Sequence, residues 1–294
     1  MKLSTTTYVL AQRFSFKDSI KIIKEAGFDA YDMSLTCMHN NPGRCVFCED
    51  DYLETAKEIR RYADEIGIVC NQAHAPFEWR LFDAEREKRL DEMALRSIEI
   101  ASILGAQVIV IHPKQYMVYS DHAEELFNIN VQYYKNLIPY AKKYNIKIAL
   151  ENMYQCNNGA HTPTDSTCSR AWEFCKYLDA IDSEWIVGCL DIGHASLVAA
   201  DIPEFIKKLG NKRLKALHVH DTDFVNDLHT LPFMQKIDYL AVTKALGEIG
   251  YDGDFTFEAD EFYKGKPLAL YNATARYMCE VGRFLISEIE KVKK

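Results

Sequence analysis

The chain alternates eight times between a short apolar run rich in β-branched residues and a longer amphipathic segment. The short runs are residues 2–8, 30–35, 68–74, 107–112, 147–150, 186–190, 214–220 and 254–258. The amphipathic segments, whose apolar residues recur at helical spacing, are 15–26, 51–66, 85–104, 122–144, 169–178, 203–209, 238–249 and 268–292. Strict strand–helix alternation predicts a parallel sheet, because parallel neighbours need a crossover connection between them.

The number of units predicts which parallel sheet forms. Eight parallel strands close a (β/α)8 or TIM barrel, and a chain of 294 residues has the length for one. The alternative, an open doubly wound sheet, would be unusually wide with eight strands. No linker rich in Pro, Gly or Ser divides the chain, so we expect an α/β fold with a single domain over residues 1–294.

Metal-ligand residue types stand at the ends of six successive short runs. They follow one another at roughly 30 to 40 residues, about one barrel unit. The six residues are His74, His112, Glu151, Asp191, His220 and Glu258. Any one alone is explained as a helix cap or a hydrogen-bonded polar group, but six in succession favour a common site at the mouth where strand ends converge.

Carboxylates that converge in a partly buried mouth repel one another and lose hydration. A divalent cation removes that penalty, and mixed Glu, Asp and His ligands suit Zn²⁺, Mn²⁺, Co²⁺ or Mg²⁺. No cysteine stands at these strand ends, which disfavours a thiolate site. The sequence therefore predicts a divalent metal ion bound by carboxylates and histidines.

Charge and composition exclude some partners. Asp and Glu number 43 against 35 Lys and Arg, a formal charge of -8 that disfavours nucleic acid as a partner. The chain has no apolar run long enough for a membrane span and no apolar leader at its start. Its nine scattered cysteines do not form a recognisable disulfide framework. We expect a cytoplasmic protein whose thiols are mostly free and buried.

Four segments carry a family resemblance. "IALENM" (148–153), "LDIGH" (190–194), "HVHDTD" (218–223) and "FTFEAD" (255–260) resemble, in this order and spacing, the xylose-isomerase-like TIM barrel superfamily. That superfamily includes sugar and sugar-phosphate isomerases and epimerases, inosose dehydratase and endonuclease IV. The resemblance covers nearly the whole chain and implies a metal-dependent enzyme.

The resemblance also implies roles for particular residues. The matching positions for the shared metal site are Glu151, Asp191, His220 and Glu258, and His194 matches a histidine that contacts substrate or a second metal. Four further positions resemble those that hold additional zinc in endonuclease IV, which implies one to three ions per chain. They are His74, His112, Asp227 and His229.

Two histidines lie close together in the "HVHDTD" segment. Strand alternation puts His218 on the same face as His220. We expect His218 one layer deeper, as a packing or hydrogen-bonding residue, and Asp223 orienting a neighbouring ligand.

The activity implied by the resemblance is isomerisation or epimerisation of a sugar or sugar phosphate through a metal-stabilised enediolate. Glu151 and Glu258 would remove and return the proton, and His194 would act with them. Other chemistries remain open: a multi-zinc phosphodiesterase like endonuclease IV, an inosose-dehydratase-like lyase, and a barrel that binds metal or sugar without turnover.

Substrate contacts are the least defined part of the prediction. Trp79 follows a strand end and is expected to stack on a sugar ring, with a packed loop anchor as the alternative. Asn157 is expected to contact substrate at a position where ketohexose 3-epimerases of the superfamily carry a glutamate. Asn226 stands where they carry an arginine, so a close match to that subgroup is not expected.

The segment "CMHNNPGRCVFC" (37–48) contains Cys37, Cys45 and Cys48 and follows the second predicted strand. We expect a lid or subunit-contact loop; a structural zinc or a redox pair is the alternative. The expected partner is a small carbohydrate, and the chain is expected to form a homodimer or homotetramer.

Overall fold

The computed structural model describes residues 1–78, 83–157 and 162–293. Its eight parallel barrel strands are β1 (Leu3–Thr6), β2 (Ala30–Ser34), β3 (Val69–His74), β4 (Val108–Val110), β5 (Lys147–Glu151), β6 (Ile186–Asp191), β7 (Leu214–His218) and β8 (Phe255–Phe257). They pair in chain order from β1 to β7, and β8 pairs with β1. A parallel bridge between Val219 and Phe257 joins β7 to β8. The predicted single-domain (β/α)8 barrel is therefore confirmed.

Eight longer helices surround the barrel. They are Phe16–Ala26, Tyr52–Ile66, Ala84–Leu104, Tyr119–Tyr144, Ala171–Ile181, Ile202–Arg213, Tyr239–Glu248 and Tyr271–Val292. Shorter helices are Tyr8–Ala11, Cys37–Asn40 and Ile192–Leu197, with single 3-10 turns at Pro42–Arg44, Val46–Cys48, Asp260–Tyr263 and Leu268–Leu270. None of the helices in the described ranges is both long and apolar enough to cross a membrane.

Helix Ala84–Leu104 illustrates how the sequence sets these elements. The Asp83 side chain accepts a hydrogen bond from the backbone N–H of Arg86 at 3.0 Å, which caps the first turn. The helix ends at Gly105, whose φ of 87° favours glycine. Between the caps, the helix buries its apolar stripe at Ala94, Ile98, Ala101 and Leu104.

Two features at the mouth were not predicted as structure. An antiparallel hairpin of strands Tyr154–Asn157 and Thr162–Asp165 follows β5. In the 37–48 segment, Cys37 forms a disulfide with Cys45, whereas Cys48 of the C-x-x-C pair is free. His39 Nε2 of the same segment lies 3.2 Å from Glu78 Oε2, which ties the segment to the chain after β3.

Part of the barrel interior is polar. Asn71 Nδ2 of β3 donates to Thr256 Oγ1 of β8 at 3.4 Å, and Ser4 Oγ of β1 donates to the same oxygen at 2.8 Å. Because β3 and β8 are not neighbours, the first of these bonds crosses the barrel. Small apolar residues of β4 to β7 fill another part of the interior: Val108, Val110, Ala149, Val187, Cys189 and Ala216.

Helix Tyr271–Val292 packs unusually closely against the sheet at Gly282. A Cβ atom there would lie 2.4 Å from Leu3 Cδ1 and 2.8 Å from Phe257 Cε2. Leu3 and Phe257 are fully buried on β1 and β8. The close approach therefore depends on the missing side chain.

We expect Gly282→Ala to destabilise the protein by about 1–3 kcal/mol, because the added methyl group overpacks a filled interface. Chemical denaturation followed by circular dichroism measures the change. Gly43→Ala is the matched control, since its Cβ would have no heavy atom within 4 Å. Equal stability of the Gly282→Ala variant and the wild type would contradict the packing described.

Candidate metal centre

Three carboxylates from different strands meet around one histidine at the mouth of the barrel. Glu151, Asp191, His218 and Glu258 each offer a ligand atom, and these atoms all lie within 4.8 Å of one another. His218 Nδ1 lies 2.8 Å from Glu151 Oε1, 3.4 Å from Glu258 Oε2 and 3.9 Å from Asp191 Oδ2. We call these four residues the deep cluster.

Glu151 also faces two histidines of the preceding strands. Its Oε2 lies 2.9 Å from His112 Nε2 and 3.5 Å from His74 Nε2. The His74 ring is fixed by its Nδ1, 2.7 Å from the carbonyl oxygen of Ala75. The ring of Phe77 stacks on that of His112 with centroids 4.3 Å apart. His74, His112 and Glu151 form the side cluster.

A third group lies nearer the surface. His194, His220, Asp227 and His229 offer ligand atoms within 4.8 Å of one another and form the outer cluster. Asp227 Oδ2 lies 3.1 Å from His229 Nε2 and 3.7 Å from His194 Nε2. The outer cluster touches the deep cluster through His220 Nε2, which lies 3.1 Å from Asp191 Oδ1.

Asn152, the residue after β5, holds the end of β5 to Asp191, the last residue of β6. Its side chain donates to the carbonyl oxygen of Asp191 at 2.9 Å and accepts from the Asp191 N–H at 2.7 Å. Its own carbonyl oxygen lies 2.9 Å from His194 Nδ1. The Asn152 side chain thus makes the two hydrogen bonds that a backbone amide of a neighbouring strand would make. Together with its carbonyl oxygen, it fixes the spacing of Glu151, Asp191 and His194.

The loop that carries Asp227 and His229 is held by Asp221. This buried carboxylate accepts backbone N–H bonds from Thr222, Gln235 and Ile237, at 2.9, 2.8 and 3.1 Å. Asp223, expected to orient a neighbouring ligand, is instead partly exposed and accepts the N–H groups of the turn at residues 225–226. Asp221 is therefore the carboxylate that fixes the loop.

The strand-end position assigned to His220 by the sequence is taken by His218. Strand β7 ends at His218, and Val219 then bridges to Phe257, so His220 leaves the barrel and joins the outer cluster. Among the described residues, the ligand group that contains both Glu151 and Glu258 includes His218 and not His220. The alternation rule applies only within a strand and β7 ends at His218, so the rule gave no means of choosing between the two rings.

Charges in the centre compensate one another. Burial raises the pKa of Glu151, but the adjacent His218 and His112 rings outweigh burial and hold this pKa well below its usual value. Burial likewise raises the pKa of Asp227, and His229 with His194 holds it well below its usual range. Burial lowers the pKa of His194, but Asp191 and Asp227 raise it to about 10.

The donor set fits a divalent ion. The clusters contain only carboxylate oxygens and imidazole nitrogens, the ligands that Zn²⁺ and Mn²⁺ take in proteins. Within the described ranges, Asp227 Oδ1 is buried without a hydrogen-bond partner, as is His220 Nδ1. A buried carboxylate oxygen in that state is costly unless a cation is close.

Of the two predicted substrate residues, Trp79 lies outside the described residues, and Asn157 ends the first strand of the hairpin. Sequence reasoning assigned no role to Tyr154 of the same strand. Its hydroxyl donates to Asp227 Oδ2 at 3.2 Å, and its ring centroid lies 5.1 Å from that of His194. An aromatic residue three positions after a strand-end glutamate was the only available signal.

Known proteins are similar in sequence to this chain over most of its length. The chain is 28% identical over 270 residues to an uncharacterized Methanocaldococcus jannaschii protein, covering 88% of this chain and 83% of that protein. It is 24% identical over 292 residues to fructoselysine 3-epimerase of Shigella flexneri, covering 95% of this chain and 96% of the relative.

Solved structures of the same fold include a D-tagatose 3-epimerase-like protein, with TM-score 0.72, 25% identity and coverage of 98% of this chain and 100% of that chain. The IOLI protein with a bound zinc atom has TM-score 0.73 and 19% identity, covering 98% of each chain. A family model described as xylose isomerase-like TIM barrel matches residues 20–281. The chain belongs to the xylose isomerase-like TIM barrel family.

Proposed function

We propose that the chain is a divalent-metal-dependent isomerase or epimerase acting on a small sugar or sugar phosphate. The observation that carries the proposal is the deep cluster, in which Glu151 and Glu258 approach a common position from β5 and from the end of β8. Two carboxylates beside one reacting carbon are what proton removal and return require.

Glu151, Asp191, His218 and Glu258 would hold the ion. A bound divalent ion supplies Lewis acidity, which polarises a carbonyl group and acidifies the neighbouring C–H bond. One glutamate removes the proton from that carbon. Return of the proton to the opposite face by the other glutamate gives the epimer, and return to the neighbouring carbon gives the isomer.

The two glutamates differ in a way that suits unequal roles. The Glu151 side chain is 1% exposed and lies among His74, His112 and His218, whereas that of Glu258 is 20% exposed. Glu258 therefore faces the open mouth, where it can reach a substrate. His194 belongs to the outer cluster and lies 3.9 Å from Glu151 of the deep cluster, so it is placed to hydrogen-bond a substrate oxygen.

The similarities support sugar chemistry. Fructoselysine 3-epimerase matches nearly full length, and a D-tagatose 3-epimerase-like protein shares the whole fold at 25% identity. The zinc atom in the IOLI protein supports zinc as one candidate ion, beside Mn²⁺, Co²⁺ and Mg²⁺. The formal charge of -8 argues against nucleic acid as substrate.

A second candidate function rests on the side and outer clusters. With the deep cluster they offer three adjacent ligand groups, and several ions together can activate water and clamp a phosphodiester. Sugar epimerisation by the mechanism above needs only the ion of the deep cluster. The number of ions required for activity therefore separates the two functions.

We expect the metal-loaded protein to exchange a substrate C–H proton with D2O for at least one member of a panel of ketoses and ketose phosphates. Glu258→Gln should lower the exchange rate by about 10²- to 10⁴-fold, the usual contribution of a positioned acid or base. NMR of the recovered sugar measures the incorporated deuterium. Glu248→Gln, at the end of helix Tyr239–Glu248 and away from the mouth, is the control.

The same preparation should be incubated with DNA that contains an abasic site. Cleavage of that DNA without any deuterium incorporation would contradict the isomerase proposal and support the hydrolase. Exchange by the Glu258→Gln variant at the wild-type rate would reject the assigned role of Glu258 while leaving the reaction class standing.

We expect His229→Asn to bind one ion fewer per chain than the wild type, because it removes a ligand of the outer cluster. Elemental analysis after gel filtration measures the stoichiometry. His122→Asn, an exposed histidine on helix Tyr119–Tyr144, is the matched control. Proton exchange should persist in the His229→Asn variant. An unchanged ion count would show that the outer cluster holds no ion.

A further inference from the structure

The buried carboxylate of Asp32 lies on the side of the His218 ring away from the deep cluster, next to Nε2. Asp32 lies on β2 and is 1% exposed, and His218 lies on β7 and is fully buried. Asp32 Oδ2 is 3.8 Å from His218 Nε2. Because β2 and β7 are not neighbours in the barrel, this contact crosses the interior, directly below the mouth.

The two nitrogen atoms of the His218 ring thus have different neighbours. Nδ1 faces the three carboxylates of the deep cluster, and Nε2 faces Asp32. The ring is also stacked on His74, with centroids 5.3 Å apart and planes 18° from parallel. The thiol of Cys189 is a further neighbour of His218. The ring is therefore enclosed on several sides and cannot turn without displacing them.

Hydrogen bonds from the described part of the chain satisfy only one of the two buried carboxylate oxygens of Asp32. Its Oδ2 accepts a bond from Gln72 Nε2 at 3.3 Å, but Oδ1 has no hydrogen-bond partner within the described residues. His218 Nε2 also has no hydrogen-bond partner there. A carboxylate without a full set of hydrogen bonds is expensive to bury, so its position beside an unpaired imidazole nitrogen requires a reason.

We propose that Asp32 is a positioning residue for the metal centre and acts through His218. Metal-binding histidines commonly present one nitrogen to the ion and donate the N–H of the other to a carboxylate, which fixes the tautomer and the ring orientation. At 3.8 Å the Asp32 carboxylate favours the proton on Nε2 electrostatically, so that Nδ1 is the nitrogen that gives up its proton and offers a lone pair to an ion held with Glu151, Asp191 and Glu258. This role rests on the proposed metal-dependent function.

Asp32→Asn is the sharpest test, because it preserves volume and leaves Gln72 an acceptor while removing the carboxylate from the ring. We expect a 10- to 100-fold loss of affinity for Zn²⁺ or Mn²⁺ in a chelator competition titration, the usual effect of losing such a partner. The absorption spectrum of the Co²⁺-loaded protein should shift. The thermal midpoint of the metal-free protein, which reports folding alone, should change little.

A double-mutant comparison tests whether Asp32 acts through His218. In a His218→Gln background, Asp32→Asn should change metal affinity by less than about 2-fold, since there is no ring left to orient. Asp252→Asn, an exposed aspartate paired with Lys215, is the matched control. Asp32→Ser, which keeps a polar group, replaces Asp32→Asn should that variant not fold.

Wild-type affinity in the Asp32 variants, or equal losses with and without His218, would overturn the role of Asp32 and leave the proposed function intact. A wild-type chain that binds none of the divalent ions would instead contradict the proposed function itself, and the role of Asp32 with it. A loss confined to the His218-containing background supports the inference.

Discussion

The arrangement of the site follows from the need to bury three carboxylates around one imidazole. Two negative charges about 4 Å apart repel by about 4 kcal/mol at an effective dielectric constant of about 20. Glu151, Asp191 and Glu258 approach the same nitrogen of His218 from three strands. Such a group persists only with positive charge beside it, which the surrounding histidines supply and which a bound divalent ion would also supply.

The three clusters share members, and this sharing couples them. Glu151 belongs to the deep and side clusters, and Asp191 contacts His220 of the outer cluster. A carboxylate drawn toward an ion on one side is less available to the other, whereas a second cation relieves the remaining negative charge. If the clusters bind ions as proposed, occupation of one would change the affinity of its neighbours for an ion, and by thermodynamic necessity this coupling would be reciprocal.

Sequence periodicity predicted the barrel and most of its mouth because both depend on local patterns. Strand ends converge in any parallel barrel, so the sequence predicted without knowledge of any contact that His74, Glu151, Asp191 and Glu258 lie together; their roles stay a prediction. The choice between His218 and His220 depends on where β7 leaves the sheet, which is set by the bridge from Val219 to Phe257 of the neighbouring strand β8. Hydrogen bonds of that kind join residues far apart in sequence, and no local pattern encodes them.

The site has a rigid part, the deep cluster on the strand ends, and an adjustable part, the outer-cluster residues on a loop. The deep cluster is carried by strand ends and is supported from below by side chains of the closed barrel, where a displacement would disturb several strands at once. Asp227 and His229 belong instead to a loop that depends on the backbone bonds accepted by Asp221. Variation of that loop can therefore alter the outer cluster while the carboxylates of the deep cluster remain in place.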